Sequence, residues 1–340
     1  MDTVMIRSRE YTYSQTIGRG SAGGNGFSEP VDIAIDGNVV YGLSRASEGD
    51  PTARVTVFNR SEEFIGQFSS YGYEDGQFVW GSSIAVDKNG FVYLADEWLH
   101  RISIFNGRAD FANADNPAND VGQENFIKHW GRQGINPGEL NGPAGMAFDK
   151  EDNLYITEEF NHRVSKFTKD GEFLFCWGKQ GTGDGEFNHP WGITIDSNDD
   201  VYVADWKNDR VQKFTSDGEY IATFGSSGDK AGELHMPSDV AVDKEGDVYI
   251  TDWWNNKVEV YDSSGIHLTT FYGDAVKLSK WAYEALAVNP DIKALHDKAN
   301  KELERYFLQP AAVEVDSDGR IWVVDCMRWR IQIYQKTVLK

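Results

Sequence analysis

Two histidines are the side chains of this sequence best suited to metal chemistry. His189 and His235 stand near the prolines that begin two similar segments, while Glu158 and Asp205 end strand-like runs in such segments. Zinc accepts two imidazoles and one carboxylate and keeps a fourth position open for water or substrate. These four residues therefore predict a candidate site for one divalent metal ion, zinc or calcium, and a metal-assisted lyase or hydrolase reaction.

Tryptophans supply a second candidate site, which would bind a ligand without catalysis. A tryptophan combines a large apolar surface with one hydrogen-bond donor, so it is typical of ligand contacts where it is not buried. His189, His235, Asp205 and Lys207 would orient the ligand. The alternative for any single tryptophan is burial between neighbouring elements. The predicted ligand-binding residues are Trp98, Trp191, Trp206, Lys207, Trp253, Trp254 and Arg328.

Other catalytic signatures do not occur in the sequence. There is no Gly-x-Ser-x-Gly elbow and no phosphate-binding loop. The glycine-rich stretch 178–185 recurs with the repeats described below, which indicates turns. Cys326 has no histidine near it in the sequence that would activate its thiol.

The charge balance disfavours other classes of partner. Lysine and arginine number 33 against 54 aspartates and glutamates, which gives a net charge of −21. Nucleic acids and anionic membranes need a basic face, so neither is an expected partner. No apolar run approaches the roughly 18 residues of a membrane helix. Two cysteines and an N-terminus without an apolar core predict a cytoplasmic protein.

The elements that must position these residues belong to a repeated unit. Segments 143–149, 190–196 and 237–243 align without gaps. Each leads into an apolar strand, a third strand opened by a cation, and a fourth strand that runs into glycine. Altered copies elsewhere bring the number to six. Four short strands in about 40–50 residues are typical of a propeller blade, so the sequence predicts an all-β, six-bladed β-propeller.

The chain ends predict how the ring closes. The last copy stops after its third strand, at residues 330–334, and the stretch 11–17 precedes a glycine-rich segment as fourth strands do elsewhere. We therefore expect residues 11–17 to supply the outer strand of blade six, which leaves no unpaired edge between the first and last blades.

Two insertions interrupt this single domain of residues 1–340. Residues 276–307, between blades five and six, have the spacing of apolar residues that predicts a helical hairpin. The hairpin would lie on the face of the central funnel, either as a lid over its mouth or as a decoration of the rim. Residues 107–124 are polar and predict a solvated loop in blade two.

The repeat resembles a known family. Pro-x-Gly-Ile-x-x-Asp at 190–196, Val-Tyr-Val-Ala-Asp at 201–205 and Asn-x-Arg-Val-Gln-x-Phe at 208–214 resemble the NHL repeat, and the resemblance covers residues 11–335. It implies a six-bladed propeller but no single activity, because NHL propellers include lyases, hydrolase-like enzymes, RNA binders and scaffolds.

The resemblance also allows a test of metal chemistry. The amidating lyases of the family place zinc-binding histidines just after the proline that enters each first strand, and calcium lactonases of similar architecture place carboxylates or amides near there. Only Asp32 and Asp239 come close to the second pattern, one residue further on. None of the residues at the histidine positions is a preferred metal ligand; they are Val31, Ser82, Ala144, Trp191, Ser238 and Ala311.

A cation also recurs once in each blade, at a fixed distance after a mostly acidic position. Because a binding site is rarely sixfold in one chain, we interpret these cations as structural ion pairs or hydrogen bonds. His100 and His162 precede two of them and are interpreted as polar loop residues. The cations are Arg54, Arg101, Arg163, Arg210, Lys257 and Arg330.

Two functions therefore remain open from the sequence. The first is a binding module that holds a small apolar or aromatic molecule, or a peptide, in a tryptophan-lined funnel under a helical lid. The alternative is a metal-assisted lyase or hydrolase in the same funnel. RNA binding and a scaffold role are disfavoured alternatives.

Overall fold

The computed structural model describes residues 3–6, 9–45, 52–108, 125–298 and 301–338. Strands are numbered in chain order. Blade one contains β3 (Pro30–Asp36), β4 (Val39–Ser44), β5 (Arg54–Asn59) and β6 (Phe64–Phe68). Blade two contains β7 (Gly81–Val86), β8 (Phe91–Asp96), β9 (Arg101–Asn106) and β10 (Phe126–Trp130). Blade three contains β11 (Pro143–Phe148), β12 (Asn153–Glu158), β13 (Arg163–Thr168) and β14 (Phe173–Trp177).

The second half of the ring repeats this order. Blade four contains β15 (Pro190–Ile195), β16 (Val201–Asp205), β17 (Arg210–Phe214) and β18 (Tyr220–Phe224). Blade five contains β19 (Pro237–Val242), β20 (Val248–Asp252), β21 (Lys257–Tyr261) and β22 (His267–Phe271). Blade six contains β23 (Pro310–Val315), β24 (Arg320–Asp325) and β25 (Arg330–Val338), followed by β2 (Arg9–Ile17) and β1 (Thr3–Ile6).

The predicted closure of the ring is confirmed. Strand β2 pairs antiparallel with β25, from Arg9 opposite Val338 to Ile17 opposite Ile331. The N-terminal strand therefore completes blade six, as expected from residues 11–17. The sequence did not predict β1, which adds a fifth strand outside β2. The six innermost strands are neighbours around the central channel.

Aromatic side chains join the blades near their outer edges. In five seams, a ring near the end of a fourth strand packs on a ring near the end of the next blade's third strand, with centroids 4.7–6.1 Å apart. Such pairs stabilise beyond the area they bury. The five pairs are Phe68–Phe105, Trp130–Phe167, Trp177–Phe214, Phe224–Tyr261 and Phe271–Tyr334.

The seam between blades six and one departs from this rule. Strand β2 ends in Ile17, which is smaller than the aromatic residues at the equivalent positions. Trp281 of the helical insertion takes that place, with its ring centroid 5.5 Å from Phe58 and 5.9 Å from Phe27. Trp281 is only 2% exposed and belongs to the same core cluster as Ile17. The insertion therefore supplies the aromatic contact that the closing strand lacks.

The predicted helical hairpin is present as α1 (Lys280–Ala287) and α2 (Pro290–Lys298), followed by the short α3 (Lys301–Glu304). Ser279 caps α1, and its hydroxyl also donates to the carbonyl of Gly18. The Glu62 carboxylate accepts hydrogen bonds from the backbone N–H groups of Lys280 and Trp281. These contacts fix α1 at the rim between blades six and one.

Two further predictions from the sequence concern the loop insertion in blade two and the absence of membrane-spanning helices. The predicted loop insertion of residues 107–124 lies, from residue 109 onwards, outside the described residues. Within the part of the chain that the structure covers, no helix has the length and apolar character needed to cross a lipid bilayer.

The recurring cations are structural, as predicted. Each donates to backbone carbonyls in the segment that enters its own blade; Arg210, for example, bonds the carbonyls of Gly183 and Glu186. Four of them also pair with the carboxylate at the end of the preceding strand, at 2.7–3.6 Å. The other cations that donate to backbone carbonyls are Arg54, Arg101, Arg163, Lys257 and Arg330.

The residues before three of the cations have a structural role as well. His100 and His162 adopt left-handed backbone conformations, with φ of 51° and 52°. Their Nδ1 atoms accept the backbone N–H groups of Gly142 and His189 in the next blade. Asp209 makes the equivalent bond to Met236. Both histidines are therefore loop residues that join neighbouring blades.

Candidate functional site

The funnel lies where the loops after each second strand meet the segments that enter each first strand. Backbone hydrogen bonds tie the two loops together within a blade, as from Arg45 to the carbonyl of Glu29 and from Glu97 to that of Trp80. Six equivalent positions directly after the second strands thus form a ring around the channel mouth. They hold Arg45, Glu97, Glu159, Trp206, Trp253 and Cys326.

This ring has two unlike halves. Blades one to three contribute charged groups, and blades four to six contribute aromatic or weakly polar ones. A cavity of about 270 Å³ opens between the halves. It is lined by Glu29, Val31, Arg45, Trp80, Ser82, Trp191, Trp206, Ser238, Trp253, Gln309, Ala311, Cys326 and Met327.

Three of the predicted tryptophans form the apolar wall. Trp191 and Trp206 meet edge to face with centroids 5.1 Å apart, and Trp206 meets Trp253 at 6.5 Å. Such geometry is favourable between aromatic rings, so the three side chains support one another. They remain partly exposed and offer apolar surface to a ligand.

The opposite wall is built around Arg45. Its guanidinium carbon lies 4.5 Å from the ring centroid of Trp80, and Nε donates to the carbonyl of Gly81 at 3.3 Å. Loss of hydration lowers the pKa of Arg45, against the opposing field of Glu97. Stacking and the Nε bond hold the guanidinium in a fixed orientation.

Carboxyl groups beside Arg45 are also perturbed. Burial, and then the charge of Glu159, raises the pKa of Glu97 to about 7. Burial raises the pKa of Glu159 as well, while Lys207 opposes that shift. Glu159 Oε1 lies 2.8 Å from Nδ1 of His189. Burial raises the pKa of the Cys326 thiol to about 12, so the thiol stays protonated at neutral pH.

The remaining residues predicted to bind ligand lie outside the cavity lining. Trp98 and Trp254 are 64% and 56% exposed. The Lys207 ammonium lies 5.6 Å from the ring of Trp206 and is exposed. Arg328 donates to the carbonyl of Leu303, so it contacts the helical insertion.

The four predicted metal-binding residues are not brought together. The carboxylate of Glu158 accepts bonds from Arg163 and Ser165, and that of Asp205 accepts bonds from Arg210 and Gln212. Both carboxylates are fully buried. Their oxygens are engaged in the structural bonds of blades three and four.

The two histidines bind different partners. His189 faces Glu159, and Nδ1 of His235 lies 3.1 Å from Asp209 Oδ1. Over residues 3–338, excluding the stretches that the structure leaves out, no three His, Cys, Asp or Glu side chains are arranged to hold a metal ion. The predicted set of His189, His235, Glu158 and Asp205 is therefore not one site.

Below the funnel the channel narrows to a waist with three carboxyl groups. Asp32 accepts the N–H of Ile84 in the next blade, and Asp239 accepts that of Val313. Glu314 lines the same waist. Burial raises the pKa of Asp32 to about 6 and that of Glu314 to about 8. Asp32 and Asp239 thus tie inner strands together.

Replacing Glu314 by glutamine is expected to reduce the dependence of stability on pH. The folded state keeps a proton on Glu314 up to a pKa of about 8, whereas the unfolded chain releases it near the ordinary value of 4.5. Stability therefore falls as the pH rises through this window, by up to about 1.4 kcal/mol per pH unit for one proton. Urea unfolding of both proteins at pH 5, 6, 7 and 8 measures the difference.

The control for this prediction is Glu284→Gln on an exposed face of α1. The free energy of unfolding of this variant should change with pH in the same way as that of the unmodified protein. If the stability of the Glu314→Gln variant has the same pH dependence as that of the unmodified protein, the proposed proton uptake at the waist is wrong.

Sequence reasoning missed the charged wall. Arg45 begins an enlarged loop in the most degenerate repeat, and Trp80 precedes a first strand that begins with glycine in place of proline. Aligning the single position after each second strand would have shown both halves of the ring.

Together, the fold and the funnel define a six-bladed β-propeller with an asymmetric cavity at the mouth of its central channel. Residues 187–214 and 234–261 match the model of the NHL repeat, and the remaining blades repeat the same four-stranded unit. The chain is therefore a six-bladed β-propeller that carries NHL repeats. No curated protein matches it.

Several solved structures share the fold at low sequence identity. A protein of unknown function from Bacteroides thetaiotaomicron is 19% identical, with a TM-score of 0.63, 97% of this chain and 76% of that chain covered. An auxiliary nutrient binding protein from the same organism is 12% identical, with a TM-score of 0.61 and coverage of 96% and 76%. Virginiamycin B lyase from Staphylococcus aureus is 13% identical, with a TM-score of 0.56 and coverage of 96% and 99%.

Proposed function

We propose that the chain is a binding protein whose funnel takes a small molecule, or one end of a peptide, with an aromatic or apolar body. The observation that carries the proposal is the edge-to-face wall of Trp191, Trp206 and Trp253 beside a cavity on the channel axis. Ligand sites are mostly apolar concavities with a few fixed polar groups. The funnel has this composition.

The size of the cavity limits the part of the ligand that it encloses. About 270 Å³ is slightly below the roughly 300–1,000 Å³ of typical small-molecule sites. One ring or one branched aliphatic side chain therefore fits, and the rest of a peptide would extend outwards. None of the described residues of the helical insertion lines the cavity, so its placement favours the rim over the lid.

A metal-assisted lyase or hydrolase reaction has less support. It required His189 and His235 to share a metal ion with a nearby carboxylate, whereas His189 contacts Glu159 and His235 contacts Asp209. The lyases that share this fold are too distant in sequence to transfer an activity.

Replacing Trp206 by alanine is expected to weaken ligand binding at least about tenfold, because the central ring of the aromatic wall is lost. Binding would be measured by isothermal titration calorimetry with a panel of N-acetyl-phenylalanine, N-acetyl-leucine and their amides. Trp98→Ala is the matched control, since Trp98 is exposed and outside the cavity. Equal affinities in both variants, or no binding by any member of the panel, would overturn the proposal.

A further inference from the structure

Arg45 differs from the structural arginines of this propeller. Arg54, Arg101, Arg163 and Arg210 all direct terminal guanidinium nitrogens at backbone carbonyls. Arg45 uses Nε alone, and no described residue accepts a hydrogen bond from its Nη1 or Nη2. These two nitrogens belong to a residue that lines the cavity.

The carboxylates near Arg45 do not form hydrogen bonds with its guanidinium. Glu29, Glu97 and Glu159 act on the guanidinium through their fields. None of them forms an ion pair or a hydrogen bond with it in the described structure. Arg45 is half-buried, and its Nη atoms have no acceptor among the described residues, so a ligand in the cavity can complete their hydrogen bonding.

The geometry of Arg45 suits one class of partner. Stacking on Trp80 and the Nε bond to Gly81 fix the plane of the guanidinium, and the described part of the chain offers no acceptor to the Nη pair. Two parallel N–H donors match the two oxygens of a carboxylate. The neighbouring glutamates disfavour a doubly charged phosphate more strongly than a singly charged carboxylate.

We infer that the ligand of the funnel carries a carboxylate that Arg45 binds through both Nη atoms, while its apolar body rests against Trp206 and Trp253. This inference rests on the proposed function, because it names the ligand class of the same cavity. The charged half of the ring would contact the carboxylate of such a ligand, and the aromatic half would contact its apolar body. The carboxylate can belong to a small aromatic or aliphatic acid or to the C-terminus of a peptide.

Glu97 is expected to make this binding depend on pH. Its pKa of about 7 means that it gains a proton as the pH falls from 8 to 6, which removes one negative charge beside Arg45. Carboxylate binding should therefore tighten over this range. Other groups that act on this cluster are Glu29, Asp96, Glu159, Lys207 and Cys326. Glu97→Gln should flatten the profile.

The test compares 3-phenylpropionate with its neutral amide, 3-phenylpropanamide, by calorimetry at pH 7. In the unmodified protein we expect the acid to bind at least about tenfold more tightly. Arg45→Gln should remove this preference, and Arg45→Lys should restore part of it. Arg328→Gln is the matched control, since Arg328 lies in an equivalent loop but contacts Leu303. It should keep the preference.

The outcomes separate the inference from the proposed function. If acid and amide bind equally, or if Arg45→Gln keeps the preference, the funnel is a binding site but the role of Arg45 is wrong. If neither compound binds, the proposed function falls and the inference falls with it. A Gly-Gly-Gly-Phe peptide with a free or an amidated C-terminus, compared with N-acetyl-phenylalanine, then distinguishes a peptide terminus from a small acid as the source of the carboxylate.

Discussion

Replacing Trp281 by alanine is expected to lower the free energy of unfolding by about 3–5 kcal/mol, the usual cost of removing a buried aromatic side chain. Trp281 is 2% exposed and packs on Phe27 and Phe58 at the seam between blades six and one. Because Ile17 is too small to fill this place, removing the indole leaves a cavity at the seam. Chemical denaturation followed by circular dichroism measures the loss.

Tyr283→Ala is the matched control for Trp281→Ala. Tyr283 lies on the same helix but is 66% exposed, so its loss should change stability by less than about 0.5 kcal/mol. Trp281→Phe should recover part of the lost stability, because a smaller ring still packs on Phe58. If both alanine variants unfold at the same denaturant concentration, the insertion does not hold the seam.

This role of the insertion could not be read from the sequence. The spacing of apolar residues predicted the helices correctly, because it reports which face is buried. It contains no information on what covers that face. The partner of Trp281 is Phe58, more than 200 residues earlier, and the need for it arises only because Ile17 ends the closing strand. Such a replacement becomes visible when all six seams are compared in three dimensions.

The fold itself was largely predictable, since each blade repeats the same local pattern of strands and turns. The structural cations were also predictable, because a ligand site does not recur six times in one chain. The candidate site was less predictable. Trp191, Trp206 and Trp253 lie in the cavity lining, whereas Trp98 and Trp254 occupy similar positions in the sequence but lie outside that lining. The direction of a loop side chain depends on its neighbours.

The predicted metal-binding residues also show that the sequence does not reveal the contacts of a side chain. Glu158 and Asp205 have the right chemistry for a metal. Strand register, however, places each directly opposite an arginine, Arg163 and Arg210. The residue type alone does not show whether a carboxylate is bonded to a guanidinium or is free to bind a metal ion. Arg45 was missed for the complementary reason, because its distinctive feature is that no described residue accepts a hydrogen bond from Nη1 or Nη2.

Replacing Asp247 by alanine is expected to cost about 3 kcal/mol or more of unfolding free energy, because it leaves the buried Lys336 ammonium and the half-buried Arg9 guanidinium with fewer partners. The Asp247 carboxylate is fully buried. It accepts two hydrogen bonds from Arg9, at 2.5 and 2.7 Å, and lies 2.6 Å from the Lys336 ammonium. Arg9 and Lys336 belong to the paired strands that close the ring, so Asp247 ties the closure to blade five.

Asp200→Ala tests whether this cost comes from the closure or from the repeat position alone. Asp200 occupies the equivalent position in blade four, where it pairs with Lys213 at 2.7 Å and is 23% exposed. Lys213 also contacts Asp196, as Lys336 contacts Asp243. Since Asp200 is partly solvated and joins only its own blade, its loss should cost less than about 1 kcal/mol. Equal losses in the two variants would show that blade five does not anchor the closing strands, and that ring closure depends mainly on β2 pairing and on Trp281.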